Sequence, residues 1–150
     1  MIVVLQRVAE ASVTVDDELV GAIGVGYLAL ACGLADDQPE AVDWLADKLV
    51  DMRLFPDEQG RTNLDLRDVG GAVLVVPQFT LAADWRKGRR PSFTRAAPPE
   101  QARALVARLV ARLKERGVPV AEGRFGAMMD VRLHNSGPFT LVLDSAERPA

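Results

Sequence analysis

The residue types that usually carry enzyme chemistry are nearly absent from this sequence of 150 residues. It has one histidine, His134, so any Ser-His or Cys-His scheme must use that residue. Together with the single cysteine, Cys32, it falls short of the three or four ligands of a usual zinc site. A P-loop and a dinucleotide-binding fingerprint are both missing. The remaining places for chemistry are turns at the ends of strands.

The first of these turns follows an apolar run at residues 72–76, where Pro77 stops a predicted strand. We expect the backbone N–H groups of Gln78, Phe79 and Thr80 to lie free of regular pairing. Such donors would form an oxyanion hole, which stabilises a tetrahedral intermediate without any titratable side chain. An ordinary strand terminus is the alternative interpretation, and this motif alone does not separate the two.

The second turn is Gly137-Pro138, near the end of the sequence. A Gly-Pro pair with a cis bond would present a rigid backbone surface with no side chain at Gly137. Such a surface excludes one hand of a chiral group more reliably than a flexible side chain does. The alternative is a common tight turn between two strands. His134 alternates with Val131 and Leu133 on the strand before it, and we expect it to be structural.

Basic residues are concentrated in one segment. The net charge of −3 argues against a protein that coats nucleic acid without specificity. Five of the 18 basic residues nevertheless fall within residues 85–95, and no acidic residue interrupts them. This run predicts a local phosphate-binding patch, with a solvated loop as the alternative.

The apolar periodicity predicts one α/β domain over residues 1–150 with a mixed sheet. Strands are expected at residues 2–8, 11–15, 19–23, 24–31, 72–76, 130–135 and 139–144. Helices are expected from residue 37 or 38 to residue 52 and from residue 98 to residue 116. Ser136-Gly137-Pro138 is predicted to join the last two strands.

The composition is that of a soluble globular protein, with 49% hydrophobic and 26% charged residues. No apolar run approaches the roughly 20 residues that span a bilayer. Cys32 lies in an apolar run and is expected to be a buried thiol. A single cysteine excludes an internal disulfide, so the cytoplasm is the expected compartment.

Taken together, the motifs resemble those of the D-aminoacyl-tRNA deacylase family. The match extends over nearly the whole sequence and includes Gln78-Phe79-Thr80 and Gly137-Pro138. The matching blocks occur in the family's order at residues 4–8 with 11–13, 53–55, 60–63, 78–81, 87–93, 123–127 and 135–140. Several blocks in one order are far more specific than any one of them.

The resemblance implies a three-layer α/β/β fold and a homodimer with two sites at its interface. The substrate would be an amino acid esterified to the terminal adenosine of tRNA. The resemblance implies no cofactor and no metal, and it implies no binding to a membrane or to DNA. The family removes D-amino acids, and glycine mischarged on tRNA-Ala, as quality control after the synthetase. The substrate's own ribose 2′-hydroxyl would activate water, with Thr80 a positioning hydroxyl in preference to a nucleophile.

The resemblance also assigns roles to individual residues. Gln78, Phe79 and Thr80 would form the catalytic site, and Gly137-Pro138 of one subunit, as a cis pair, would filter chirality in the other. The pocket for substrate and adenosine would include Pro77, Phe125, Gly126, Ala127, Met128, Asn135 and Phe139. The tRNA phosphates would contact Arg86, Lys87, Arg89 and Arg90.

Two positions depart from the family's usual pattern. Pro77 replaces a serine before Gln-Phe-Thr, and Phe139 replaces a valine after Gly-Pro. Similar residues occur in a related branch that edits an L-amino acid mischarged on tRNA, for which a trans Gly137-Pro138 bond is expected. A third reading is a tRNA-binding module without catalysis, because acid-base residues are few.

Overall fold

The alternating extended and helical patterns of the sequence fold into eight strands and two α-helices. The computed structural model describes residues 1–150. The strands are β1 (Ile2–Val15), β2 (Glu18–Ile23), β3 (Gly26–Cys32), β4 (Phe55–Pro56), β5 (Thr62–Leu64), β6 (Ala72–Pro77), β7 (Val120–Glu122) and β8 (Asp130–Asp144). The α-helices are α1 (Pro39–Asp51) and α2 (Pro99–Glu115), and 3₁₀ helices cover Phe79–Ala82 and Ser145–Glu147.

The main sheet is mixed, as the sequence predicts. Its strand order is β2-β1-β3-β6-β7, and β8 also pairs with β1. The pairs β3–β6 and β6–β7 are parallel, whereas β1 is antiparallel to β2, β3 and β8. Three adjacent strands therefore place their carboxyl ends at one edge of the sheet. The strand β7 was not predicted, because three residues are too few to show a period of two.

Both helices cover one face of this sheet and begin where proline allows. Each has a proline in its first turn, where the missing N–H has no partner to lose. Leu45 and Leu49 of α1 pack with Leu109 and Leu113 of α2 in one buried core. The arginines of α2 do not all face solvent: Arg108 and Arg112, together with Arg116 directly after the helix, pair with carboxylates of α1.

A second β layer covers the opposite face. β1 is long enough to pair with β3 through residues 2–8 and with β2 through residues 11–15. Its second half bends over the outer face of the sheet, where Val13 packs in one cluster with Leu28, Leu74 and Val76. Helices, main sheet and outer strands form three layers, so the predicted α/β/β fold is confirmed.

The structure corrects the prediction of two strands joined by a turn at residues 136–138. β8 is one strand, and both of its halves pair antiparallel with β1. Gln6 lies opposite Thr140 and Val8 lies opposite Asn135, so four residues of β8 face one residue of β1. Gly137-Pro138 belongs to this wide bulge, which displaces the chain from the ladder without reversing it.

Neither α-helix is both long and apolar enough to cross a bilayer.

The start of β3 depends on a residue without a side chain. Gly26 has φ of +154°, and a Cβ there would lie 1.8 Å from the backbone oxygen of Ala72. We expect Gly26→Ala to lower the free energy of unfolding by about 3 kcal/mol or more. Gly24→Ala is the matched control: its Cβ would meet no atom within 4 Å, so a change of about 0.5 kcal/mol is expected. Equal stability of the two variants in urea denaturation would contradict this packing.

Candidate active site

A pocket of about 670 Å³ lies at the carboxyl ends of the three parallel strands. Cys32 and Gly33 end β3, Pro77 and Gln78 end β6, and Phe125 follows β7; all of them line the pocket. Ligands of sheets with parallel strands bind beyond such carboxyl ends, and this volume is within the usual range for small-molecule sites. The position and size of the pocket make it the candidate site.

The pocket brings together two of the predicted groups. Pro77, Gln78 and Phe79 line one side, and residues 125–128 line the other. The sequence analysis missed further lining residues, which include Asp16, Asp17, Cys32, Gly33, Met129 and Asp130. The sequence predicted a strand at residues 24–31 but not its parallel pairing with residues 72–76. Without that pairing, these residues could not be placed beside one pocket.

The backbone donors of the first motif need one correction. The N–H of Gln78 donates to the carbonyl oxygen of Ala31 at 2.8 Å, so it is not free. It continues the parallel ladder by one residue beyond Pro77, which has no N–H of its own. Phe79 and Thr80 open a 3₁₀ helix, and their N–H groups have no partner within that helix. Of the three predicted donors, only the N–H groups of Phe79 and Thr80 have no backbone partner, and Thr80 does not itself line the pocket.

The hydroxyl of Thr80 is not activated as a nucleophile. Its Oγ1 accepts a hydrogen bond from Nε2 of Gln78, and the side chains of both residues are at the surface. An amide donor withdraws electron density from a hydroxyl, whereas a nucleophile needs an adjacent base that accepts its proton. His134 lies exposed on β8 opposite Glu10, outside the pocket. The arrangement fits a positioning role for Thr80.

Cys32 is buried at the floor of the pocket, as predicted. Its Sγ lies 3.5 Å from the carbonyl oxygens of Gly33 and Phe79. Burial raises the pKa of this thiol above its ordinary value, so the protonated form prevails at neutral pH and can donate to those oxygens. The thiol thus supports the 3₁₀ helix that carries Phe79.

Charged groups occupy parts of the rim. Asp16 and Asp17 form the turn between β1 and β2 with φ of 49° and 63°, the left-handed pair that a tight hairpin requires. Both residues line the pocket, together with Asp130. On another side the guanidinium of Arg103 lies 4.6 Å above the ring of Phe125. No group of three or more His, Cys, Asp or Glu side chains could hold a metal ion.

Gly137 and Pro138 do not line the pocket of their own chain, and the peptide bond between them is cis. Arg7, the residue of β1 opposite the bulge, binds this segment through its guanidinium. Its Nε donates to the carbonyl oxygen of Ser136 at 3.0 Å and its Nη2 to that of Gly137 at 3.1 Å. The sequence analysis did not identify Arg7, because its side-chain partners are backbone oxygens.

Asn135 and Phe139 flank the bulge and also lie outside the pocket. The Nδ2 of Asn135 donates to the carbonyl oxygens of Arg7 at 3.0 Å and of Phe139 at 3.3 Å. The ring of Phe139 lies 4.7 Å from the guanidinium of Arg7. In one chain these two residues therefore order the Gly137-Pro138 segment and do not contact the pocket.

The basic run forms a loop next to the pocket. Arg86 makes two hydrogen bonds of 2.9 Å with Asp84, and this pairing lowers the pKa of Asp84 to about 2. Lys87, Arg89 and Arg90 are exposed and form no ion pair. Three of the four predicted phosphate contacts are thus free cations, whereas Arg86 already has a partner.

The fold and the pocket define a three-layer α/β/β protein whose site is lined mainly by apolar side chains, with carboxylates at one part of the rim. Residues 4–144 match the family model described as D-Tyr-tRNA(Tyr) deacylase. A D-aminoacyl-tRNA deacylase of Chloroflexus aurantiacus is 60% identical over 96% of this chain and 90% of its own length. One of Thermus aquaticus is 52% identical over 97% of this chain and 96% of its own length. The chain belongs to the D-aminoacyl-tRNA deacylase family.

Solved structures share this fold. A c-Myc DNA unwinding element binding protein superposes with a TM-score of 0.90, at 36% identity and over the whole of both chains. A probable eukaryotic D-amino acid tRNA deacylase superposes with a TM-score of 0.82 over 95% of this chain and 97% of the other. At 22% identity the second likeness shows the fold alone.

Proposed function

We propose that this protein hydrolyses the ester bond of D-aminoacyl-tRNA, and of glycyl-tRNA mischarged on tRNA-Ala, to free amino acid and tRNA. The observation that best supports this proposal is that Gln78-Phe79 and residues 125–128 line one pocket beside a loop with three free cations. The relatives named D-aminoacyl-tRNA deacylases support this class of substrate. The cytoplasm, where aminoacyl-tRNA is used, is the proposed compartment.

The chemistry relies on placement and backbone donors. Water adds to the ester carbonyl, and the oxyanion accepts hydrogen bonds from the N–H groups of Phe79 and Thr80. The tetrahedral intermediate collapses, the bond to the ribose oxygen breaks, and that oxygen takes a proton. The neighbouring 2′-hydroxyl of the substrate relays the proton, since the pocket lining has no histidine.

The chirality filter comes from a second copy of this chain. Gly137-Pro138 lies outside its own pocket but is held firmly by Arg7, which suits a segment that enters the pocket of a partner. The adjoining sheet face carries an exposed apolar pair: Val142 is 69% exposed and pairs across the ladder with Val4, next to the hydrogen-bonded pair of Gln6 and Thr140. A sheet face of this kind is a typical contact surface between subunits.

The proposed nucleic-acid partner is tRNA, not duplex DNA. The chain is acidic overall, and its free cations are gathered on one loop at the pocket. Binding along a duplex would require cations that follow several successive phosphates. A confined patch next to a small-molecule pocket suits one strand whose end enters that pocket.

The L-selective relative was expected to have a trans Gly137-Pro138 bond, and the structure contradicts that expectation because the bond is cis. It remains a second candidate only because of Pro77. Pro77 lines the pocket and supplies neither a hydroxyl nor an N–H there, so any contact that a serine makes with the substrate is missing. The tRNA-binding module without catalysis is the third candidate, because the pocket lining has no histidine and its one thiol is buried. Turnover and chirality distinguish the three.

A deacylation assay with matched substrates tests the proposed activity. We expect D-tyrosyl-tRNA and glycyl-tRNA to be hydrolysed with multiple turnovers, while L-tyrosyl-tRNA decays at the rate seen without enzyme. The reason is that a rigid backbone wall leaves room for hydrogen or for one hand of the side chain only. Release of L-amino acid alone would support the L-selective relative, and tRNA binding without release would support the binding module.

Replacing Thr80 tests the mechanism. Thr80→Ala is expected to reduce kcat by about 5–10-fold, the effect of losing one hydrogen bond. A substrate that lacks the 2′-hydroxyl should react at least about 100-fold more slowly with the wild-type protein, because the proton relay is lost. Thr80→Ser is the matched control and should retain activity. Complete inactivity of a folded Thr80→Ala protein would instead support a covalent role.

An acidic substitution at the exposed sheet face tests the dimer. Val142→Asp should give a monomer, since a buried unpaired carboxylate costs about 3–5 kcal/mol. Hydrolysis of D-tyrosyl-tRNA should fall together with the dimer fraction measured by sedimentation velocity. Leu19→Asp is the matched control, because Leu19 is 61% exposed on β2 and its substitution should leave the dimer intact. A wild-type protein that is both monomeric and active would overturn this assembly.

A further inference from the structure

Trp85 is an exposed aromatic side chain that the proposed chemistry does not use. It is 74% exposed, whereas the other tryptophan of the chain, Trp44, packs against the main core. Large apolar side chains left in solvent at a defined place commonly mark a contact with a ligand or partner. The surroundings of Trp85 indicate which kind of ligand it contacts.

The loop that carries Trp85 is closed by backbone hydrogen bonds at its ends and contacts a residue of the pocket. The N–H of Asp84 donates to the carbonyl oxygen of Ser92 at 2.7 Å, and the reverse bond is 2.9 Å long. At the base of the loop the ring of Phe93 meets the ring of Phe79 edge to face, with centroids 5.2 Å apart. Phe79 lines the pocket, so Trp85 is held close to its mouth.

The neighbours of Trp85 on this loop are charged, not apolar. Lys87, Arg89 and Arg90 are exposed without an acidic partner, while Arg86 is occupied by Asp84. A docking surface for a protein partner would have apolar neighbours around the indole. An indole among free cations is instead the combination that binds single-stranded nucleic acid, with base stacking and phosphate contacts side by side.

Charges at the pocket mouth give the bound strand a direction. Asp16 and Asp17 line the rim and repel phosphates, so a strand that enters the pocket does not leave past them. The loop at residues 84–92 offers the opposite charge next to Phe79. A polynucleotide with its last residue in the pocket therefore leads back over Trp85.

We propose that Trp85 stacks on an unpaired base of the single-stranded 3′ end of tRNA, upstream of the nucleotide that carries the ester. Lys87, Arg89 and Arg90 contact the flanking phosphates. This inference rests on the proposed function and adds a second subsite outside the pocket. Stacking tolerates any base, so Trp85 strengthens the binding of every tRNA and leaves the chemical step unchanged.

Kinetics with two substrates test the subsite. For D-tyrosyl-tRNA, Trp85→Ala should raise KM by about 10-fold with kcat unchanged, and Trp85→Phe should recover most of the loss. For D-tyrosyl-adenosine, which ends before the subsite, both variants should match the wild type. The dependence of log KM on log salt should keep its slope in Trp85→Ala, because no cation is lost.

The alternative outcomes are distinct. An unchanged KM for D-tyrosyl-tRNA, or equal losses on both substrates, would overturn the stacking proposal. A shallower salt slope in Trp85→Ala would also overturn it, since the cations of the loop would then have moved. Failure of the wild type on both substrates would instead overturn the proposed function.

Fluorescence gives a test that does not depend on catalysis. In a Trp44→Phe protein Trp85 is the only tryptophan, so its emission reports on its own surroundings. Uncharged tRNA should quench this emission, and tRNA trimmed of its unpaired 3′ nucleotides should not. Equal quenching by trimmed tRNA or by duplex DNA, or no quenching by intact tRNA, would contradict stacking on the 3′ end.

Discussion

The hydrogen bond from the N–H of Gln78 to the carbonyl oxygen of Ala31 fixes where the sheet ends and the site begins. Pro77 cannot donate, so this bond closes the parallel ladder one residue later than the proline suggests. Beyond it the chain must turn, and the 3₁₀ helix from Phe79 to Ala82 leaves two N–H groups without a partner in the helix. Because the 3₁₀ helix follows directly on a buried strand, the proposed oxyanion donors would need little reorganisation when charge develops nearby.

A second constraint acts on the other side of the molecule, where one strand serves three partners. β1 pairs with β2, β3 and β8, and its ladder with β8 is irregular on both sides of Val8, with the larger interruption at Arg7. The bulge there leaves the carbonyl oxygens of Ser136 and Gly137 outside the ladder, and the Arg7 guanidinium donates hydrogen bonds to both of them. A segment held in this way keeps a defined shape at the surface without belonging to its own chain's pocket.

Much of this fold follows from local pattern. The two helices and β6 were predicted within one or two residues, since periodicity, proline and the apolar run of residues 72–76 act locally. The unbroken β8 was not, because Gly-Pro favours a turn and only the shared partner β1 keeps both halves in line. The pairing of Gln78, the rim residue Asp130 and the contacts of Arg7 depend on parallel register and on residues far apart in sequence. Local sequence does not encode such contacts.

A site that relies on backbone donors selects its substrate by shape and by the distribution of charge around the pocket. It does not rely on the ionisation of a catalytic side chain. The pocket has no histidine, and its one thiol is buried with a raised pKa, so neither of these side-chain types supplies a general base there. The substrate must then be selected before the chemical step, by whether one end of the molecule fits into the pocket. Under the proposed function, acidic residues on one rim and free cations on the adjoining loop provide that selection for a nucleic-acid strand. In the proposed complex Trp85 strengthens the binding of the strand, while the rate of hydrolysis would depend on the backbone donors of Phe79 and Thr80.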